Sequence, residues 1–268
     1  MLCYECISLT DIGNKRKVNQ DSFIALSDEA FGHSFGVFCV ADGMGGLSEG
    51  EYASRLATQK TIEWYKKNLT QLKKIWVNEK KLKESLKTLF FEINKIIYEY
   101  GIEKNIKVGT TYSLLLLIGN KYYIVHAGDS RIYLKRNDKL FMLTKDQTWV
   151  NDQVDKGFMS QEQADNHPKK NVLANCMGCF ENPSICTGEG NVMLNDSFLL
   201  CSVGLYNLVT ADEILCGLGY ENMECAAAEF LDAAKGRGGF DNITLLLVKI
   251  TDTKETENTK KDKVDKNV

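Results

Sequence analysis

The 268-residue chain is 44% hydrophobic and 10% aromatic, enough apolar material for one large domain with a sizeable core, which excludes a wholly disordered polypeptide. Its net charge of -3 leaves no global electrostatic footprint for nucleic acid or an anionic membrane. The longest apolar runs, such as Leu114 to Ile118, fall far short of the roughly 20 residues that cross a bilayer. The start, Met1-Leu-Cys-Tyr-Glu-Cys6, lacks the basic and apolar regions of a signal peptide, so the chain is expected in the cytoplasm.

Cys3 to Leu9 reads as a first strand and runs into a polar loop, Asp11-Ile-Gly-Asn-Lys-Arg16-Lys-Val-Asn19-Gln20-Asp21. Arg16 and Asp21 form a candidate half-site, one residue for an anion and the other for a cation; the alternative is an ordinary solvated loop. Strands are expected over Ser22 to Leu26 and Ser34 to Ala41. The second ends in Asp42-Gly43-Met44-Gly45-Gly46. A carboxylate where a strand gives out can reach a metal ion, and the glycines let backbone approach a ligand closely. Asp42 could equally cap the next segment, and this stretch alone does not choose.

Helices are expected over Glu51 to Asn68 and Glu79 to Tyr100, each with apolar residues at helical spacing. A run of strands follows: Thr111 to Ile118, Lys121 to His126, Arg131 to Lys135 and Leu140 to Leu143, with Gly119-Asn120 and Asn137-Asp138 as hairpin turns. The turn Ala127-Gly128-Asp129-Ser130-Arg131 reads as structural. Thr144 to Thr187 is polar and irregular, broken by Gly157, Pro168, Gly178 and Pro183, with a capping box at Ser160. An insertion of that size suggests a flap over a site. Its histidine, His167, reads as a loop residue.

After a strand over Ser197 to Ser202 come Val203-Gly204-Leu205, a capped helix from Thr210, an alanine-rich helix over Glu221 to Ala234, and a glycine-rich loop that delivers Asp241-Asn242 to a last strand, Ile243 to Ile250. The stretch 251–268, charged and without aromatics, reads as a disordered tail. Of the nine cysteines, most should be reduced and packed as small hydrophobes. Two Cys-x-x-Cys pairs, Cys3 with Cys6 and Cys176 with Cys179, would nominally allow a four-thiolate zinc site. The strand-like setting of the first pair argues against it.

Asp21, Asp42 and Asp241 all stand at strand boundaries. If those ends converge, they make a hard-oxygen site for Mg²⁺ or Mn²⁺, and Arg16 beside them could grip a phosphate. That combination suggests metal-assisted hydrolysis of a phosphoester.

Six motifs then occur in order: Gly13-x-x-Arg16-x-x-Asn19-Gln20-Asp21, Ala41-Asp42-Gly43-Met44-Gly45-Gly46, Gly109-Thr110-Thr111, Gly128-Asp129-Ser130-Arg131, Thr144-x-Asp146 and Gly239-Phe240-Asp241-Asn242-Ile243-Thr244. Over about residues 6 to 250 the chain resembles the metal-dependent protein serine/threonine phosphatases of the PPM, or type 2C, family in its compact bacterial form. The resemblance implies an α+β fold, a four-layer α-β-β-α sandwich of two antiparallel sheets flanked by helix pairs. It implies one phosphatase domain over 1–250, with the flap at about 144–187.

By the same resemblance Asp42 would bridge two Mn²⁺ or Mg²⁺ ions, Gly43 would ligate through its carbonyl, Asp241 would hold one ion and Asp146 would help bind a third. Asp21 would orient the attacking water and Arg16 would bind the substrate phosphate. The substrates would be phosphorylated proteins, with a serine/threonine kinase opposing a monomeric, cytoplasmic enzyme that engages neither nucleic acid nor membrane. The chain departs from the family pattern at Val203, where that pattern has a ligating Asp, and at Leu47, Gln147 and Asn207. Valine offers no oxygen, so the ion it should share with Asp42 loses a ligand. Two readings follow: a phosphatase with altered metal affinity, or a pseudophosphatase that binds phosphoproteins without hydrolysing them.

Overall fold

The structure, a computed structural model, describes residues 1–30, 33–46, 49–69 and 78–252. Leu47 and most of the charged tail, 253–268, lie outside the described residues. Two antiparallel sheets stack face to face. In one, β1 (Leu2–Asp11), β11 (Ile243–Asp252), β10 (Ser197–Cys201), β7 (Arg131–Arg136) and β8 (Lys139–Met142) lie in that order. In the other the order is β2 (Asp21–Ala30), β3 (His33–Gly45), β5 (Tyr112–Ile118), β6 (Lys121–Ala127) and β9 (Cys186–Asn191), with the short β4 (Val108–Thr110) pairing the end of β3.

Strand periodicity explains the layers. Successive side chains of β3 point to opposite faces, and both faces are apolar. Phe38 and Val40 enter the seam between the sheets with Leu115, Leu117, Phe198, Leu200, Leu246 and Val248. Val37 and Cys39 pack outward with Leu114 and Leu116 beneath two long helices, α1 (Glu49–Leu69) and α2 (Glu79–Lys104). The α2 stripe of Leu82, Leu86, Leu89, Phe90, Ile93 and Ile97 is buried there. Asn78 caps its first turn by accepting from the Lys81 amide at 3.1 Å, and Asn105 ends it in the left-handed region at φ 54°. On the opposite face Leu199, Leu245 and Leu247 pack beneath α5 (Val203–Tyr206), α6 (Ala211–Gly217) and α7 (Met223–Gly236). The four-layer α-β-β-α sandwich is therefore observed.

Several boundaries move in ways that matter for the site. β3 does not give out before Asp42 but continues through Gly45, pairing Asp42 with Asp21 of β2. The expected strand over Thr111 to Ile118 is β5, starting one residue later at Tyr112, and an additional short strand, β4, ends just before it at Thr110. Between β8 and β9 the polar segment folds two short helices, α3 (Trp149–Asp155) and α4 (Gln161–Asp165), the second behind the expected capping box at Ser160. β9, Cys-Thr-Gly-Glu-Gly-Asn, has no apolar alternation to announce it and forms because β6 offers it a free edge.

The seam is the most sensitive layer. Phe38 is fully buried, so Phe38→Ala should lower the unfolding free energy by about 3–5 kcal/mol in a denaturant titration. Phe158→Ala, at a side chain 77% exposed, should stay within about 0.5 kcal/mol of the parent.

Candidate metal and phosphate site

At one end of the sandwich a cavity of about 300 Å³ is lined by Arg16, Asp42, Gly43, Asp129, Val203 and Asp241, and by Asn171 and Leu173 from the segment that carries α3 and α4. Sequence-distant loops are fastened together to make it. Asn242 donates to the carbonyls of Ile12 and Val18, both at 3.0 Å, and accepts from the Gln20 amide at 2.9 Å. The Asn14 amide donates to the Gly239 carbonyl at 2.7 Å. These bonds bring the loop of Arg16 to the loop of Asp241, and the two side chains form a two-pronged ion pair, Nε to Oδ1 at 2.7 Å and Nη2 to Oδ2 at 2.9 Å. The pair holds the guanidinium at the cavity and raises its pKa.

Asp42 is held through its backbone. Its amide donates to Thr111 Oγ1 at 2.8 Å, and its carbonyl accepts from the Thr111 amide at 2.9 Å and from Thr110 Oγ1 at 3.1 Å. Gly43 has no room for a side chain: a Cβ there would lie 2.1 Å from the Gly50 carbonyl oxygen and 2.6 Å from that of Gln20. Opposite Asp42, Asp21 Oδ2 accepts from Ser202 Oγ at 2.8 Å, while Asp21 Oδ1 is buried with no hydrogen-bond partner.

Crowded acids away from water are costly to ionise. Burial, with Asp241 adding to it, lifts Asp21 from 3.8 to about 6. Burial and then the neighbouring Asp21, Asp129 and Asp241 push Asp42 well above the carboxylate range. Burial and then Asp146 lift Asp129 from 3.8 to about 7. A divalent cation would reverse each of these shifts, and the orphaned oxygen of Asp21 and the carboxylate-rich lining fit a hard cation. As the side chains stand, no three His, Cys, Asp or Glu among the described residues form a ready metal cage, and Asp241 is turned to Arg16.

Of the residues expected from the sequence, Arg16, Asp42, Gly43 and Asp241 line this cavity, and Asp21 backs Asp42. Asp146 does not join them. Arg131 binds its carboxylate at 2.7 to 3.1 Å and lies 3.7 Å from the centre of the Tyr206 ring, beside a separate cavity of about 500 Å³. Asp129, read from sequence as part of a structural turn, is in the site instead. Its signal is an acid just after the buried strand β6, the placement the sequence also suggested for Asp42. Gln147 and Asn207 do not line the site: Gln147 Oε1 accepts from the Gly128 amide at 2.9 Å and from Asn175 at 2.7 Å, tying the Asp129 turn to the returning segment.

The profile of the protein phosphatase 2C family matches residues 8–153. The chain belongs to the protein phosphatase 2C family. It is 32% identical over 242 residues to the serine/threonine phosphatase stp of Listeria innocua, covering 89% of this chain and 93% of that one. Among solved structures, the serine/threonine phosphatase of S. agalactiae superposes with a TM-score of 0.79 at 29% identity, over 92% of this chain and 99% of that one. The catalytic domain of the serine/threonine phosphatase PstP, in complex with two manganese ions, superposes with a TM-score of 0.75 at 28% identity, over 94% of this chain and all of that one (100%). The family is one of metal-dependent enzymes that use Mn²⁺ or Mg²⁺.

The raised carboxylates carry a pH signature. Because burial and neighbouring acids raise Asp129 to about 7 and Asp21 to about 6 from the ordinary 3.8, the folded protein binds more protons than the unfolded chain between those values. The stability they contribute is complete below about pH 4 and is lost as pH rises through their folded values. Without divalent cations, the melting temperature of the parent should therefore fall more between about pH 5 and pH 8 than that of Asp129→Asn. Equal slopes would mean that Asp129 ionises as freely folded as unfolded.

Proposed function

We propose that this protein hydrolyses phosphoserine and phosphothreonine in proteins, and the observation that carries the reading is the meeting of Arg16 with Asp42, Asp129 and Asp241 at one cavity. Asp42, the Gly43 carbonyl and Asp241 would hold Mn²⁺ or Mg²⁺, with Asp129 as a further oxygen donor at the same cavity, and Asp146, whose charge acts on Asp129, would help bind a third ion. A cation so held supplies Lewis acidity, lowering the pKa of water and offsetting phosphate charge.

The protein's own groups do the rest. Arg16 bonds phosphate oxygens, and its charge stabilises the charge that gathers on them as the ester bond breaks. Asp241 aims that guanidinium. Asp21, held on one oxygen by Ser202, has its second oxygen free to accept a hydrogen bond from the attacking water and orient it. Asn171 and Leu173 cover one side and limit access by bulk water. The physiological substrates are phosphorylated proteins, the opposing enzyme is a serine/threonine kinase, and the protein acts as a cytoplasmic monomer. Among the described residues no helix is long and apolar enough to cross a membrane.

Val203 favours a second reading. It lines the cavity with Asp42 and Asp241 yet offers no oxygen, so a cation there would be held by fewer charges and more weakly. A pseudophosphatase that binds phosphoproteins would tolerate that loss.

Turnover of a phosphothreonine peptide in Mn²⁺ separates the readings. The parent should show measurable turnover, Arg16→Ala should reduce it about 100-fold and Asp42→Asn should abolish it. Calorimetry should show Val203→Asp binding Mn²⁺ about 10- to 100-fold more tightly than the parent. A silent parent with an active Val203→Asp variant would establish the pseudophosphatase instead.

A further inference from the structure

The segment that returns from α4 toward β9 carries Cys176-Met177-Gly178-Cys179, and its two cysteines are bonded to each other with Cα atoms 5.9 Å apart, inside the usual span for a disulfide. Cys3 and Cys6 are free in β1. Cys176 is buried, 1% exposed, and Cys179 is exposed.

The bond closes a small ring around a contact that reaches the site. Inside the ring, Met177 exchanges both backbone hydrogen bonds with Thr110, each at 3.0 Å. Thr110 Oγ1 in turn donates to the Asp42 carbonyl, and the next residue, Thr111, holds the Asp42 amide and carbonyl. Gly109 lets the ring lie flat on β4: a Cβ there would stand 2.5 Å from Cys179 Sγ and 2.6 Å from the Met177 carbonyl oxygen. Cys179 Sγ also reaches Met44 Sδ at 3.6 Å, and Met44 lines the cavity. From the far side the buried Asn94 of α2 accepts from the Gly178 amide at 2.7 Å and donates to the carbonyls of Phe180 and Glu181.

We propose that Cys176 and Cys179 are a reversible dithiol–disulfide pair, closed by hydrogen peroxide and opened by a thiol reductant, whose state sets how firmly the Met177–Thr110 contact holds the Asp42 end of β3. The exposed Cys179 is the sulfur that meets the oxidant and Cys176 the one that resolves it. The Cys179 thiolate attacks one peroxide oxygen, the O–O bond breaks, and the departing hydroxide leaves as water after taking up a proton. The Cys176 thiolate then attacks the sulfenic sulfur, the S–S bond forms, the S–O bond breaks and a second water leaves. Two thiol sulfurs are oxidised and one peroxide is reduced to two waters. The closed ring keeps Met177 extended against Thr110. In the dithiol that restraint is gone, and the pairing opens more often.

The test reads the thiols and the backbone, not phosphate release, so its outcome is independent of the proposed activity. The full-length protein is treated with dithiothreitol or with hydrogen peroxide, alkylated and mapped by mass spectrometry, and hydrogen exchange is followed in both states. Peroxide should join Cys176 to Cys179, dithiothreitol should restore both thiols, and the amides of Thr110, Thr111 and Met177 should exchange about 10-fold faster in the reduced protein. Cys179→Ser should exchange at the reduced rate in both buffers. Both cysteines remaining alkylatable after peroxide, bonding instead to the exposed Cys216 or Cys225, or equal exchange in the two states would each overturn the proposal.

Discussion

The structure depends on holding mutually repelling carboxylates where water is scarce. Asp21 and Asp42 face each other across β2 and β3, and Asp129 and Asp241 add to the same field. Unrelieved, such a group prefers protons to charge. Arg16 offsets part of it through Asp241, and a divalent cation would offset the remainder. The cavity is thus an electrostatic demand for cations, created by a fold rigid enough to refuse the acids a way out.

That rigidity comes from layers. β3 is sealed on both faces, by the opposite sheet and by α1 with α2, so its end has little freedom to move away from Asp21. Backbone bonds from Thr110 and Thr111 secure Asp42, and Asn242 ties two loops more than 200 residues apart in sequence. Each tie uses a buried polar group satisfied by another, which makes the arrangement specific as well as stable. The same ties connect the Cys176–Cys179 ring to the site through one strand pairing.

Val203 changes the balance without changing the shape. It begins α5 directly after Ser202, whose hydroxyl bonds Asp21 in place of capping the helix. The Val203 side chain itself lines the cavity and brings it no oxygen.

Residue order alone determined the helix caps at Ser160 and Thr210 and the hairpin turns at Gly119 and Asn137, because capping and turn preference are properties of short stretches; the sandwich followed from the resemblance that six motifs carry together. Tertiary structure alone decided that Asp42 lies within a strand opposite Asp21, that Asp129 belongs to the site while Asp146 is held by Arg131, that β9 exists at all, and that Cys176 joins Cys179. Those outcomes rest on which distant segments meet: burial, repulsion between acids and edge pairing are set by neighbours in space.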